Sequence, residues 1–234
     1  MKEYIYRLPK LQPGTFLTRL NRFGVMINYE GKPVYLHLPN SGRMKELLVQ
    51  GKKILWKPRE NKGKTQGTLW AVFHENRWVM LVAVMANDLF ESGLNQNIFK
   101  DFNYCQIEKR EAKKGKSRFD FLLTNQKNQK KRWVEVKSVN LSVNQVGLFP
   151  DAPTTRGKRH LDELAELVLQ GDEASVVFLG LREDINSFSP HKEMDLDFAS
   201  SLEKAVKIGV SCFAFASFWD ETGCFNLKKI QVKI

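Results

Sequence analysis

Ser117-Arg118-Phe119-Asp120-Phe121-Leu122-Leu123 and Trp133-Val134-Glu135-Val136-Lys137-Ser138-Val139 are the two stretches on which the reading of this chain turns. Each alternates apolar and polar residues among Phe, Val and Trp, the period of two that marks a half-buried strand. Residues 124–132 between them are mostly Asn, Gln and Lys, which predicts a hairpin with a long polar loop. Residues i and i+2 of a strand share a face, so Glu135 and Lys137 stand together while Val136 turns away. An antiparallel neighbour can bring Asp120 beside Glu135 and make a small acidic pocket edged by a lysine. Desolvation and like charge both oppose such a pocket when it is empty, and a divalent metal relieves both. The acid-any-Lys triplet alone is weak, since Glu30-Gly31-Lys32, Glu60-Asn61-Lys62 and Glu111-Ala112-Lys113 also fit it. On these residues a metal pocket and a cross-strand salt bridge on a solvated face both remain open.

Charge is distributed unevenly. The chain carries a net +11, yet residues 1–85 hold 15 Lys and Arg against 5 Asp and Glu, and residues 86–234 hold 22 against 21. A basic module joined to a near-neutral one predicts that the first attracts a polyanion and the second acts on it. The longest apolar run, residues 78–86, is too short to span a bilayer, and no charged-then-apolar leader is read at the N-terminus, so no membrane association is expected. Cys105, Cys212 and Cys224 are odd in number and widely spaced, without CxxC or Cys/His clustering. That pattern argues against zinc and for reduced packing thiols in a cytoplasmic protein. His37, His74 and His191 show no metal-ligand spacing.

Residues 1–85 read as short strands over 16–28 (one long or bent strand), 34–38, 53–57, 68–73 and 78–84. A small helix is expected from Arg43, because Met44, Leu47 and Leu48 fall on one side. Five strands and one helix fit an OB-type barrel, a common nucleic-acid platform. Residues 57–67 read as a basic loop. From residue 86 the order becomes a helix over 87–102 with Asn87 as its cap, strands at 104–111, 118–123 and 132–139, a helix over 157–170, a strand at 174–181, a helix over 196–208 and a strand at 210–218. This order predicts a second domain, 86–234, built as an α/β sandwich with a mixed sheet.

In that order, Asp on the second strand and Glu-x-Lys on the third resemble the core of the PD-(D/E)xK nuclease superfamily, with Phe119-Asp120 where the name has Pro-Asp. The resemblance implies a restriction-endonuclease-like second domain in which Asp120 and Glu135 ligate Mg²⁺ or Mn²⁺ and Lys137 orients a water or steadies phosphate charge. Hard oxygen ligands suit those ions. A third acid comes from Glu111 or from Glu91, with Glu111 preferred. Arg156, Lys158, Arg159 and His160 gather at a helix start, where cations are disfavoured by the dipole but a bound phosphate would reverse the effect. Arg118 beside the acidic strand adds one more cation. In the first module Arg19, Arg22, Arg43, Lys45, Lys53, Lys57, Arg59 and Lys62 are candidate phosphate contacts. Phe23 and Trp56 read as barrel filling before base-stacking platforms.

Taken together, these segments resemble the sugar fermentation stimulation protein A (SfsA) family over about residues 14–215. The resemblance rests on Arg19-Leu20-Asn21-Arg22-Phe23, on the run from His37 through Asn40-Ser41-Gly42-Arg43-Met44 to Leu48, and on the Asp120 and Glu135-Val136-Lys137 strands. Phe149-Pro150-Asp151-Ala152 and Arg156-Gly157 through His160-Leu161 complete it. Asn-Ser-Gly replaces the usual Asn-Thr-Gly, Asn140 stands where Thr is common, Pro153 where Val is common, and Leu181 where Gln is often found. The family implies an N-terminal OB domain, a nuclease-like C-terminal domain and DNA binding. Three functions follow as expectations: a Mg²⁺- or Mn²⁺-dependent nuclease, a non-catalytic DNA-binding regulator of sugar metabolism, and an RNA-binding OB protein. DNA is preferred over RNA as the partner, and a homodimer stays open.

Overall fold

The computed structural model describes residues 3–61, 63–115 and 117–234. A short strand β1 (Tyr6–Arg7) is followed by β2 (Gln12–Asn21), β3 (Gly24–Tyr29), β4 (Lys32–His37), β5 (Lys53–Pro58), β6 (Gly67–His74) and β7 (Arg77–Met80). Strands β2 to β6 make a closed five-strand barrel. They run in the order β4-β3-β2-β5-β6, and the pairing of Leu36 and His37 with Gly67 and Thr68 returns β4 to β6. Phe16, Val25, Ile27, Leu36, Ile54 and Leu69 fill its interior. Each such side chain contributes about 1.5–3 kcal/mol relative to exposure. This is the expected OB architecture.

Two local expectations in the barrel are corrected. Residues 16–28 form a hairpin, not one bent strand: the Phe23 N–H donates to Asn21 Oδ1 at 3.0 Å, and this side-chain turn reverses the chain. No helix starts at Arg43. Met44 sits at φ +47, a left-handed backbone that cannot propagate a right-handed helix, and its N–H is taken at 3.0 Å by Asp151 Oδ2 from the other domain. The apolar spacing that suggested a helix instead buries Met44 and Leu47 in the barrel core.

The second domain runs α1 (Met85–Asn95), a 3₁₀ turn at Lys100–Phe102, β8 (Cys105–Lys114), β9 (Ser117–Asn125), β10 (Lys131–Val139), β11 (Leu141–Val143), β12 (Val146–Phe149), α2 (Thr155–Leu169), β13 (Glu173–Gly180), β14 (Ser187–Pro190), α3 (Leu196–Ile208), β15 (Ser211–Trp219), β16 (Gly223–Lys229) and β17 (Gln231–Val232). A seven-stranded sheet has the order β1-β16-β15-β13-β10-β9-β8 and is mixed, with β10, β13 and β15 parallel. One face packs on α1 and on barrel residues, the other on α2 and α3. Thr154 and Asp195 cap α2 and α3 by accepting from Gly157 N and Phe198 N. Helix α1 is shorter than the 87–102 expected. Asn97 turns left-handed at φ +55, and the apolar residues beyond it re-enter the core through the 3₁₀ turn. Asn87 lies inside α1 and is not its cap. The loop after β9 is shorter than expected because both strands extend into the polar residues. A small sheet, β11-β12-β14-β17, was not anticipated, its strands being too short to show a period. Burial pushes the thiols of Cys212 and Cys224 up to about 12, in keeping with packing roles.

The two domains share a core. Residues Leu55, Ala71, Trp78 and Met80 on the barrel's outer face pack with Val177, Leu179, Leu181 and Phe215 of the large sheet. This explains the apolar run from Trp78: Val79 and Leu81 face into the barrel while Trp78 and Met80 face the other domain. The strand β1 lies against β16, with Tyr6 opposite Cys224, so Tyr6 and Arg7 belong to the large sheet and not to the barrel. Polar locks complete the junction. Asn140 Nδ2 donates to Met80 O at 2.6 Å, Asn40 Nδ2 donates to Asn140 Oδ1 at 3.1 Å, and Arg182, 2 % exposed, donates to Asn140 O and to both oxygens of Asp184 at 2.6 Å. Arg182→Met would leave Asp184 and the Asn140 carbonyl without their donor. It is expected to lower unfolding free energy by about 3–5 kcal/mol in urea titration, and a loss below about 1 kcal/mol would show the lock to be dispensable.

Candidate functional site

The site begins where a ladder ends. Strands β9 and β10 are paired from Thr124 with Lys131 to Phe121 with Val134, and the next rung would set Asp120 opposite Glu135. There the strands part. Beyond this point β10 continues only along β13, as far as Val139 with Gly180. The alternation of β9 also breaks at Asp120. Phe119 packs with Trp133 and His160 under α2, whereas Phe121 packs against Phe90 on the α1 side. Across the hairpin Glu111 sits at φ +51 between the rungs Arg110–Phe121 and Ala112–Phe119, a local irregularity of the kind that re-aims a side chain.

The parted strands leave a backbone donor to satisfy, and Asp120 satisfies it. Its Oδ2 accepts from Val136 N at 2.7 Å and its Oδ1 accepts from Asn87 Nδ2 at 2.7 Å. Glu135 is 3 % exposed. Its Oε1 accepts from Lys137 Nζ and from His160 Nδ1, the latter at 2.5 Å. Its Oε2 is buried and has no hydrogen-bond partner among the described residues. The environment drives the two carboxyls apart. Burial first, and then the charge of Glu135, push Asp120 up to about 6 against the pull of Val136 N–H, Lys137 and Asn87. Burial also raises Glu135, but Lys137 and His160 together outweigh it and hold this carboxyl below its ordinary range.

A divalent cation fits this set. The site offers hard carboxylate oxygens, one of them buried without a donor, in a place where negative charge is costly. Among the described residues no group of three or more His, Cys, Asp or Glu side chains is arranged to hold a metal, so the protein would contribute Asp120 and Glu135 and leave other positions to water and substrate. Such a sparse set suits Mg²⁺ or Mn²⁺ better than zinc.

The structure brings together Asp120, Glu135, Lys137 and His160, with Arg156 one contact further out. It does not bring Glu111 into the pocket: that side chain is exposed and lies 3.5 Å from Arg118 Nη1. Glu91 pairs with Arg110 at 2.5 Å. His160 is 1 % exposed and faces Glu135, so it is not available at the surface to contact a phosphate. Arg156 is exposed and donates from Nε to His160 Nε2 at 3.3 Å, while Lys158 pairs with Asp162 and Arg159 lies 4.0 Å from Glu163. In the barrel, Arg19 directs its guanidinium to the carbonyls of Asn21, Arg22, Gly42 and Arg43, so it braces the loop after β4. Arg22, Arg43, Lys45, Lys53, Lys57 and Arg59 are exposed, and Lys62 lies outside the described residues. Asn87 was missed as a site residue. The only signal for it was an amide early in a helix, which reads equally as a cap.

The geometry defines a class: a two-domain protein in which a closed OB barrel is locked to a mixed α/β domain bearing a buried carboxylate pair at a strand divergence. Comparison with known proteins supplies the family. The model described as "SfsA N-terminal OB domain" matches residues 17–81, and the "Sugar fermentation stimulation protein RE domain" matches residues 84–223. A sugar fermentation stimulation protein homolog of Caldanaerobacter subterraneus subsp. tengcongensis is 38 % identical over 221 residues, covering 94 % of this chain and 95 % of the relative. The homolog of Pyrobaculum neutrophilum is 42 % identical over 222 residues, covering 93 % and 91 %. The solved structure of Pyrococcus furiosus SfsA in complex with Ca²⁺ superposes with a TM-score of 0.91 at 27 % identity, over 99 % of this chain and 100 % of that one. The chain belongs to the SfsA family.

Asp120 binds its proton more readily folded than unfolded. Its contribution therefore favours the fold below the ordinary pKa of 3.8 and is lost as pH rises through about 6. The loss is about 3 kcal/mol for a shift of that size. In chelator, unfolding free energy compared between wild type and Asp120→Asn from pH 4 to pH 7 should show a relative gain for the variant as pH rises. Parallel profiles would mean that Asp120 is not held protonated by its surroundings.

Proposed function

We propose that this protein is a metal-dependent phosphodiesterase acting on nucleic acid, DNA before RNA. The observation that carries the reading is Glu135 Oε2, a buried carboxylate oxygen with no donor, next to a second carboxyl pushed up by burial and then by the charge of Glu135. A bound cation relieves both. The P. furiosus relative is described in complex with Ca²⁺, an ion that takes oxygen ligands, and this supports a divalent-cation site in the family.

In this reading Asp120 and Glu135 would hold Mg²⁺ or Mn²⁺, which when bound would supply Lewis acidity and lower the pKa of an attacking water. The rest falls to the chain itself. The Val136 and Asn87 donors fix the Asp120 carboxylate so that it need not reorganise when substrate arrives. Lys137, a neighbour of Glu135 on the same strand face, presents its ammonium at the pocket, where it can steady charge on a phosphate or orient the water. Arg156, exposed at the start of α2, offers a guanidinium beside the helix N-terminus, a setting that favours phosphate. The exposed cations of the barrel give affinity with little sequence choice and a steep salt dependence.

One observation favours the second reading, a non-catalytic DNA-binding regulator: the third acid expected near the pair, Glu111, is turned to Arg118. Incubation of plasmid, single-stranded DNA and RNA with Mg²⁺ or Mn²⁺ decides between them. Cleavage is expected, falling at least about a hundredfold in Asp120→Ala and Glu135→Ala, with DNA affinity retained in a salt-matched titration. Retained binding with no cleavage under either metal would leave only the regulator.

A further inference from the structure

Buried histidines are costly unless both ring nitrogens are satisfied, and His160 has both satisfied in a way that selects one tautomer of the neutral ring. A guanidinium has no acceptor, so the Arg156 Nε–H must donate to His160 Nε2, which therefore carries a lone pair. The proton of the neutral ring then sits on Nδ1 and is donated to Glu135 Oε1 at 2.5 Å. Arg156 and His160 are four residues apart on α2 and so share a face, while Leu161 and Leu164 bury the helix in the core that holds Phe119. The His160 ring also lies 5.7 Å from the ring of Phe119, the residue before Asp120. One helix thus touches both carboxylate-bearing strands.

We propose that His160, held in one tautomer by Arg156, is a positioning residue that decides which oxygen of Glu135 faces the metal. The inference rests on the metal-site reading above. Two donors from different elements, Lys137 of β10 and His160 of α2, converge on Oε1 and leave Oε2 as the bare oxygen. The two are not equivalent. Lys137 is 14 % exposed and comes from the strand that lines the pocket, whereas His160 is buried in the core. When Lys137 engages substrate, His160 is the donor that still anchors Glu135. Outer partners of this kind set the orientation and basicity of a metal ligand, and their removal typically weakens metal binding about 10–100-fold.

The test uses the full chain and Mn²⁺ alone, titrated without nucleic acid. His160→Leu removes the donor, while His160→Asn keeps an N–H on the atom that corresponds to Nδ1. The expected result is Mn²⁺ binding weakened about 10–100-fold in the leucine variant and largely rescued in the asparagine variant. Equal affinity in wild type and His160→Leu, with Glu135→Gln defective, would overturn the positioning role and leave the metal site standing. Absence of Mn²⁺ binding in wild type would sink both. A second measurement does not depend on a core variant folding: imidazole ¹⁵N spectra of the metal-free protein should show the His160 proton on Nδ1, with the tautomer preference relaxed in the surface variant Arg156→Met. A proton on Nε2 in wild type would overturn the proposal directly.

Discussion

The bond from Val136 N–H to the Asp120 carboxylate is the point on which the arrangement turns. A central strand that loses its neighbour exposes backbone donors, and a buried donor without a partner costs about as much as the bond it lacks. Here the missing rung is replaced by a side chain from the departing strand itself. The substitution keeps the backbone satisfied where the sheet opens and delivers a carboxylate to the gap. Every other site group is placed relative to that gap. Glu135 and Lys137 follow because they alternate with Val136, and His160 follows because α2 covers the same face.

The site is also a study in unequal neighbours. The two carboxyls differ because Glu135 has a cation and an imidazole N–H bonded to one oxygen, whereas Asp120 takes its hydrogen bonds from neutral amides and feels Lys137 only through space, against the charge of Glu135. One is held toward its ionised form and the other toward its protonated form. A site built this way responds to an added positive charge chiefly through Asp120, the member held least firmly in its charged form.

Much of this was legible in the sequence, and the parts that were not share a cause. The order of elements in the second domain could be read because its strands are long and its helices carry clear apolar stripes. The nearness of Asp120 to Glu135 could be read because strand period and hairpin connection leave few registers, although the ladder stops one rung short of pairing them. The hairpin within residues 16–28 and the turns at Met44 could not, since both depend on single hydrogen bonds, from Phe23 to Asn21 and from Met44 to Asp151, that periodicity does not record. His160 looked like one more cation in a basic run. Its true surroundings come from a helix phase known only once α2 is docked. Glu111 fitted the expected register of the pocket, but its left-handed backbone accompanies a carboxylate turned to Arg118.

The strand Tyr6–Arg7 has a mechanical implication. Because it adds to the edge of the large sheet before the chain departs to build the barrel, and because the chain returns at α1, the barrel is fastened at its entry and at its exit. A body held by a single linker can swing in any direction. One moored at two separated points, with an oily seam between, is confined to rocking about the axis through them. Any relative motion of the two domains would then be a rocking of fixed direction across that seam, with no free reorientation of the barrel.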